Sequence, residues 1–286
     1  MKILIAGSPK TGTTGLYYKL RNSWGGGSPR LLFEEPEPYR PEPGDDERGV
    51  LAKVVINPDT EDLTPYLHFD RKIAIVRDPR DTLISRLMYG IGYHSPYDRD
   101  DRQVARMYGF LRRLEASDGE LGVLDLIRFD WGLRGIAYDD STIRAHYAAE
   151  WARIENFYAR YPDFFPFKYE DFVVGRLDAL SEYLGMELSG SSDVDPKHAR
   201  VVRTKSSGDW RHWFRPTDAG LFRTIYEDFL IRYGYDTDWA PHASPRIEPQ
   251  FASEYFYRLV SEKRALILRP VARETLLQLA TQQEAC

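Results

Sequence analysis

The stretch Lys2-Ile-Leu-Ile-Ala-Gly-Ser-Pro-Lys-Thr-Gly-Thr-Thr14 decides the fold that we expect for this chain. Ile3 to Ala6 form a short continuous apolar run, which is typical of a strand buried on both faces. Gly7 and Gly12 allow the backbone to turn tightly and to approach a ligand closely. Thr13 then opens a helix, so the stretch predicts a strand, a glycine loop and a helix N-terminus, which together attract anions.

The glycine spacing matches the nucleotide-binding P-loop, but the lysine stands at a different position. A Walker A loop carries its lysine directly after the second glycine. Here Thr13 holds that place and Lys10 lies within the loop, from where it still reaches the terminal group of a bound nucleotide. The alternative is a tight strand-to-helix turn with polar surface residues, and the stretch alone favours phosphate binding over it.

Composition narrows the class of protein. The 286 residues suffice for one large domain or two small ones, and the net charge of -5 argues against a general nucleic-acid binder. The single cysteine, Cys286, excludes an internal disulfide and a cysteine-built zinc site. The apolar start is too short for a secretory signal, and no stretch has the length of a membrane span. We therefore expect a soluble, cytoplasmic protein.

Further apolar runs alternate with helical patterns along the chain. Strands are predicted at residues 31–33, 50–56, 72–76 and 164–169, and helices at 142–161, 177–184 and 219–233. This alternation predicts an α/β fold with a central parallel sheet flanked by helices. The prolines between residues 34 and 49 exclude regular structure in that acidic loop.

Four stretches, in order along the chain, match motifs of a single family. They are Ser8–Thr14, Arg77–Ser85, Tyr169–Asp171 and Arg203–Trp210. In this order they resemble the 5′-phosphosulfate loop, the 3′-phosphate element, the adenine-contacting tyrosine segment and the Arg-Lys-Gly-x-x-Gly-Asp-Trp segment of sulfotransferases that use 3′-phosphoadenosine 5′-phosphosulfate (PAPS). The resemblance spans roughly Met1 to Tyr235 and implies a sulfotransferase fold of the P-loop NTPase-like type.

The resemblance also implies an activity, which is transfer of a sulfuryl group from PAPS to a hydroxyl of a sugar, lipid, peptide or natural product. The product nucleotide is 3′,5′-adenosine bisphosphate, and no metal is required. Lys10 and the neighbouring amides would meet the charge that develops on the bridging oxygen, so Lys10 is also an expected catalytic residue. The implied cofactor-binding residues are Ser8, Lys10, Thr11, Gly12, Thr13, Thr14, Arg77, Ser85, Tyr169, Arg203, Thr204 and Lys205.

The chain departs from the family pattern at several positions. Gly15 stands where cytosolic small-molecule members carry a tryptophan that stacks on adenine, and Val55 stands where they carry a catalytic histidine. The Arg-Lys-Gly triplet has become Arg203-Thr204-Lys205. These differences imply another acceptor, and another base, than in the phenol-sulfating members.

A carboxylate after the second strand is the expected base. Carbohydrate- and peptide-sulfating members use a glutamate near this place, where the chain has Glu34 and Glu35. We predict Glu35, because the pair Glu35-Pro36 after an apolar strand resembles those members, and we keep Glu34 as the alternative. Alternation along a strand predicts that the two side chains lie on opposite sides.

We predict one domain over residues 1–240, with a helical insertion on the acceptor side at about 90–140. A helical extension over 241–286 would pack on the same domain. Residues 254–278 are predicted to form two short helices broken at Pro270, with Leu259, Val260, Leu266 and Leu276 buried against the body of the protein or against a partner. Two other functions stay open. A P-loop kinase or nucleotide hydrolase would require magnesium and ATP, and a non-catalytic nucleotide-binding protein would bind the nucleotide without transfer.

Overall fold

The computed structural model describes residues 1–57, 62–94, 100–199, 202–267, 274–276 and 278–279. The chain divides into two compact units. Unit 1 contains Met1–Arg77 and Glu150–Ala199, and unit 2 contains Asp78–Ala149 and Arg200–Cys286. The predicted domain over 1–240 and extension over 241–286 stay a prediction, since this division into units does not test them.

Within the described ranges the chain forms five strands and eleven α-helices. The strands are β1 (Lys2–Gly7), β2 (Arg30–Phe33), β3 (Val50–Val55), β4 (Arg71–Val76) and β5 (Phe165–Lys168). The helices are α1 (Thr13–Asn22), α2 (Asp45–Arg48), α3 (Pro79–Tyr89), α4 (Asp101–Glu115), α5 (Val123–Leu133), α6 (Asp140–Arg160), α7 (Tyr169–Val173), α8 (Asp178–Leu184), α9 (Pro196–Ala199), α10 (Pro216–Arg232) and α11 (Ser253–Ile267).

Unit 1 is built on a five-stranded parallel sheet with the strand order β2-β3-β1-β4-β5. The predicted α/β class, with a central parallel sheet flanked by helices, is therefore confirmed. β1 lies at the centre because Ile3 to Ala6 are fully buried, and a strand with apolar residues on both faces needs cover on both. Helix α1 starts directly after the glycine loop, as the sequence predicts.

One face of the sheet packs against α1 and α8. Ile5 and Ile73 of the sheet share an apolar core with Leu16 of α1 and Leu184 of α8, all of them at most 2% exposed. Helix α6 is also tied to the sheet, because the Tyr158 hydroxyl donates to the carbonyl of Ile75 at 2.9 Å. This packing holds the ends of β1 and β4 in fixed positions relative to α1.

One expectation about local structure was wrong. The proline-rich loop contains one helical turn, α2, because Asp45–Arg48 itself has no proline and Gly44 at φ 86° allows the chain to enter the helix. Leu259, Val260 and Leu276 are buried as expected, whereas Leu266 is 77% exposed, so its burial against a partner stays a prediction. The predicted break at Pro270 lies outside the described residues.

Unit 2 is organised around the start of α3. The Asp78 side chain caps the helix by accepting from the Arg80 amide, with Pro79 in the first turn, as the sequence predicts. Arg80 is buried against the rings of Trp210 and Trp239, at 4.2 and 5.0 Å from their centroids. The described part of the chain also contains a five-residue π-helix over Gly90–His94, which directly follows α3.

The close packing at Gly7 gives a test of the fold. A Cβ atom at Gly7 would lie 2.5 Å from Cγ2 of Ile75, so Gly7→Ala is expected to destabilise the protein by about 1–3 kcal/mol. The control is Gly220→Ala, because an added Cβ there meets no atom within 4 Å and alanine is favoured over glycine within a helix by up to about 1 kcal/mol. Urea unfolding measures both, and equal effects of the two substitutions would contradict the packing described.

Candidate functional site

The glycine loop lies where the strand order of the sheet reverses. From β1 the chain goes to β2 and β3 on one side, and then to β4 and β5 on the other. In open parallel sheets, ligands bind outside the carboxyl ends of the strands at such a switch point. Here these ends lead into the loop Ser8–Gly12 after β1 and into Arg77 after β4. The fold therefore brings two of the predicted phosphate elements to the same edge.

The loop has a left-handed backbone at two positions. Lys10 and Gly12 have φ angles of 71° and 92°, and the Thr11 hydroxyl donates to the carbonyl of Ser8 at 2.8 Å. Ser8, Thr11 and Thr13 are buried. The first amides of α1 have no acceptor within the helix, as at any helix N-terminus, and they carry its positive dipole end. The helix N-terminus that follows the loop therefore favours negative charge.

Arg77 closes the same edge from β4. Its side chain is 4% exposed, Nη1 donates to the carbonyl of Lys10 at 2.9 Å, and the guanidinium lies over the ring of Tyr169 at 4.3 Å. Among the described residues, Nε and Nη2 are buried without a hydrogen-bond partner. Buried charged donors are normally paired, so Arg77 has two donors that could bind an anionic group next to the glycine loop.

Tyr169 fixes the loop from the other side. A Cβ atom at Gly12 would overlap the Tyr169 ring, so this position requires glycine for packing as well as for its positive φ. Tyr169 is itself 7% exposed. The absence of a tryptophan at position 15 has a local explanation, because a Cβ atom at Gly15 would lie 2.9 Å from the ring of Phe172. Phe172 fills the space that a larger residue at position 15 would need.

The remaining predicted phosphate residues lie in unit 2. Ser85 is buried on α3, Arg203 is buried and pairs with Asp209 at 2.5 Å, and Lys205 is exposed. Thr204 is half-buried, and its hydroxyl lies 2.5 Å from that of Ser206. Like Arg77, Arg203 has two buried nitrogens, Nε and Nη1, for which the described part of the chain offers no hydrogen-bond partner.

Asp81, which the sequence analysis did not single out, joins the two motifs of unit 2. Its carboxylate accepts from the amides of Gly208 at 2.7 Å and of Trp210 at 2.9 Å. Ser85 is one helical turn further along the same face of α3. The only sign of Asp81 in the sequence was an acidic residue in the first turn of a helix. Such a residue normally indicates only a favourable interaction with the helix dipole.

The two candidate bases differ in their surroundings. β2 ends at Phe33, and Glu34 has a φ of 53°. The alternation argument for Glu34 and Glu35 therefore does not apply, since it holds only for extended backbone, and the sides on which the two side chains lie stay a prediction. The Glu34 carboxylate pairs with the ammonium of Lys53, and the Glu34 amide donates to the Lys53 carbonyl at 3.0 Å. Glu35 is exposed. Whether either is a base stays a prediction.

Lys53 is an unusual member of β3 because its side chain is only 1% exposed. It lies in register with Ile5 of β1 and Phe33 of β2, and its Nζ lies 4.1 Å from the centroid of the Phe33 ring. Burial lowers the pKa of Lys53, while the pair with Glu34 opposes that shift. Lys53 thus holds Glu34 through both its side chain and its carbonyl.

A histidine that the sequence analysis missed completes this part of unit 1. His198 of α9 stacks on Phe33 with a centroid separation of 4.3 Å and an interplanar angle of 9°. Its Nδ1 lies 2.9 Å from the hydroxyl of Tyr18, which donates to Asp195 at 2.8 Å. No local pattern marks His198, because its partners lie about 180 residues away in the sequence.

The described residues contain no group of three or more His, Cys, Asp or Glu residues arranged to hold a metal ion. None of the helices in these ranges is both long and apolar enough to cross a membrane. As for known proteins, no protein-family model matches the chain, and no curated protein matches it.

The pair of Lys53 and Glu34 predicts a pH-dependent stability. Glu34→Gln removes the group that opposes the lowered pKa of Lys53, so that pKa falls further in the variant. Between the pKa of Lys53 in the folded protein and its ordinary value of 10.5, the unfolded chain binds more protons than the folded protein. The free energy of unfolding therefore rises with pH in this range. We expect Glu34→Gln to destabilise the protein by about 1–3 kcal/mol at pH 7, and the deficit to shrink toward pH 10.

Urea unfolding at a series of pH values measures this difference. Glu35→Gln is the matched control, and we expect it to change stability by less than about 0.5 kcal/mol. In a Lys53→Met background the Glu34→Gln substitution should lose its pH dependence. A deficit that stays constant from pH 7 to pH 10 would show that Lys53 and Glu34 do not interact as described.

Proposed function

We propose that this protein is a PAPS-dependent sulfotransferase with a P-loop-like sulfotransferase fold, which transfers a sulfuryl group to an acceptor hydroxyl. The observation that carries the proposal is Arg77, a buried guanidinium with two unpartnered nitrogens beside a glycine loop. The resemblance of the four motifs, which occur in the family's order, indicates that this anion is part of PAPS. The order and spacing of these motifs favour PAPS over other nucleotides.

The residues of unit 1 fit a phosphosulfate group chemically. Such a group brings charge and oxygen acceptors, and transfer of its sulfuryl group leaves a phosphate oxygen as the leaving atom. Lys10 and the amides at the start of α1 supply donors at the loop, where the leaving oxygen gains charge. Arg77 adds a fork of donors from the end of β4. These contributions come from this chain's own residues and involve no metal.

The residues of unit 2 fit a phosphate as well. The two unpartnered nitrogens of Arg203 are buried donors, and the Ser85 hydroxyl lies on the helix whose Asp81 holds the Arg203–Trp210 segment. The resemblance assigns these residues to the 3′-phosphate of the nucleotide. Thr204 and Lys205 are assigned to the same nucleotide.

The alternative function is that of a P-loop kinase or nucleotide hydrolase, which would catalyse a different class of reaction. The position of Lys10 inside the loop, rather than after Gly12, argues against it. Magnesium-dependent turnover of ATP would support the alternative. A non-catalytic binding protein would instead bind 3′,5′-adenosine bisphosphate and transfer no sulfuryl group to p-nitrophenol, a tyrosine peptide, N-acetylglucosamine or a sterol, the four classes of acceptor in our proposed panel.

Arg77 provides the first functional test. We expect 3′,5′-adenosine bisphosphate to bind much more tightly than 5′-AMP, and Arg77→Ala to remove most of that preference. A hydrogen bond to a charged group is worth roughly 1.5–3 kcal/mol, which corresponds to about a ten- to hundredfold loss of affinity. Isothermal titration calorimetry measures both nucleotides in both proteins.

The control for Arg77→Ala is Arg176→Ala, because Arg176 is 72% exposed and pairs with Asp171 at the surface. It removes the same charge and should leave both affinities unchanged. An equal loss of affinity for the two nucleotides in Arg77→Ala would assign Arg77 to the 5′ group instead. Equal affinity of the unmodified protein for both nucleotides would contradict the cofactor assignment.

Lys10 provides the second functional test. Lys10→Ala should lower kcat far more than it weakens nucleotide binding, because the charge that Lys10 meets grows in the transition state. Lys10→Arg should restore only part of the activity, since a guanidinium differs from an ammonium in shape and reach. Transfer from labelled PAPS to the acceptor panel gives kcat and KM. A raised KM with unchanged kcat would make Lys10 a binding residue only.

A further inference from the structure

Two histidines from different elements of unit 2 are in contact. His212 is the last residue of the 3₁₀ helix Asp209–His212, and His242 lies in the segment that follows α10. The centroids of the two imidazole rings are 4.4 Å apart, with an interplanar angle of 34°. The backbone joins the same two elements, because the His242 amide donates to the carbonyl of Arg211 at 2.8 Å. The pair therefore lies at the contact between the 3₁₀ helix and segment 242–248.

A backbone hydrogen bond fixes the protonation state of His212 in this arrangement. The Arg246 amide donates to Nδ1 of His212 at 3.1 Å. An imidazole nitrogen that accepts from an amide carries no proton, so His212 is neutral here and its proton is on Nε2. Uptake of a second proton would turn Nδ1 into a donor that faces the amide, and the hydrogen bond would be lost. This contact between Arg246 and His212 therefore requires the neutral imidazole.

His242 is held in a way that tolerates a positive charge. Its Nδ1 lies 2.7 Å from the carbonyl oxygen of Ser244 and 3.1 Å from the Ser244 amide nitrogen. A carbonyl oxygen can only accept, so the shorter contact requires a proton on Nδ1 of His242. The imidazolium form has that proton as well and keeps the bond. Of the two rings, it is His212 that loses a hydrogen bond when it is protonated.

Three elements around His212 carry charged groups. They are its own 3₁₀ helix, segment 242–248, and the loop between α4 and α5, where a Cβ atom at Gly119 would lie 2.4 Å from Cγ of Pro245. Burial, and then the charge of His242, lower the pKa of His212, and the carboxylates of Asp209 and Glu248 oppose this only in part. The charged and titratable groups on the three elements are Asp209 and Arg211 on the helix, His242, Arg246 and Glu248 on the segment, and Asp118 and Glu120 on the loop.

We propose that His212 is a pH-sensitive latch, which holds segment 242–248 against the 3₁₀ helix while it is neutral and releases the segment when it takes up a proton. Two effects act together on protonation. The Arg246 amide loses its acceptor, and the imidazolium of His212 lies 4.4 Å from the ring of His242. Histidine is the side chain that ordinarily changes charge between pH 5 and pH 8. The latch involves no ligand, so it does not depend on the proposed function.

The direction of the pH dependence follows from the lowered pKa of His212. Well above the ordinary value of 6.5, His212 is neutral in the folded and in the unfolded chain, and the latch is closed. Between 6.5 and the lower pKa of the folded protein, the unfolded chain binds more protons than the folded protein. The free energy of unfolding therefore falls as the pH falls through this range. Opening of segment 242–248 alone relieves the same penalty, because it frees His212 to take up its proton.

Amide hydrogen exchange of the full chain measures the release of the segment. We expect the protection of the Arg246 amide, corrected for the intrinsic pH dependence of exchange, to fall about three- to tenfold from pH 7.5 to pH 5.0. The Ala240 amide is the internal control. It donates to the Asp238 carboxylate at 2.9 Å and should keep its protection, because no histidine takes part in that bond. Equal protection of the Arg246 amide at both pH values would overturn the proposal.

His212→Asn separates the hydrogen bond from the titration. The side-chain oxygen of asparagine can accept from the Arg246 amide near the position of Nδ1, but asparagine takes up no proton in this pH range. We expect the variant to keep the protection of the Arg246 amide at pH 7.5 and to lose its pH dependence. His68→Asn, at an exposed histidine of unit 1, is the matched control and should leave that pH dependence unchanged. A pH dependence that persists in His212→Asn would show that another group controls the segment.

His242→Phe is the second variant, and it tests the latch even if His212→Asn does not fold. Phenylalanine keeps a ring against His212 and carries no charge at any pH. The titration midpoint of the His212 ring, followed by NMR, should rise by about 0.5–1 pH unit, as expected when a charge about 4 Å away in water is removed. The loss of protection at Arg246 should shrink accordingly, because opening then relieves a smaller penalty. An unchanged midpoint together with an unchanged loss of protection would overturn the proposal.

Discussion

The guanidinium of Arg77 is the constraint on which the edge of the sheet depends. It donates to the carbonyl of Lys10 and lies over the ring of Tyr169, and so joins the loop after β1 to the end of β4 and to the helix that follows β5. A hydrogen bond to a charged group contributes about 1.5–3 kcal/mol and a buried cation–π contact about 2 kcal/mol. Removing a cation from water costs several kcal/mol, so these contacts alone leave the guanidinium with little net gain. An anion on its two remaining buried nitrogens would restore the balance.

A second buried cation, Lys53, lies on the other side of β1, and its charge is compensated within the protein. Lys53 points into the apolar face that α1 and α8 cover, where an isolated ammonium is unfavourable. Glu34 supplies the compensating charge, and the Phe33 ring supplies a favourable electrostatic surface. Lys53 is thus satisfied by the protein, whereas Arg77 is only partly so. This contrast supports our proposal that an anionic ligand binds at the sheet edge beside Arg77 and not beside Lys53.

Much of the sheet could be predicted from the sequence, because its signals are local. The apolar runs of β1 and β4, the glycines of the loop and the cap at Asp78 all act within a few residues. The ordered motifs also singled out Arg77, whose binding of phosphate stays a prediction. The pairing of Lys53 with Glu34 could not be predicted, since it depends on the register of β2 and β3. The contact of His198 with Phe33 depends on a segment that follows α8, far from its partner in the sequence. The left-handed backbone of Glu34 could not be predicted either, since glutamate has no intrinsic preference for it.

The separation of charges along the sheet edge has a consequence for the chemistry. Lys10, Arg77 and the helix N-terminus lie at β1 and β4, while Glu34 and His198 lie at β2, two strands from β1. Neighbouring strands are about 4.8 Å apart, so the end of β2 lies roughly 10 Å across the sheet from the end of β1. Repulsion between a carboxylate and an anion at that distance is weak in a solvated cleft. Negative charge at the end of β2 is therefore compatible with the anion binding that we propose at the end of β1.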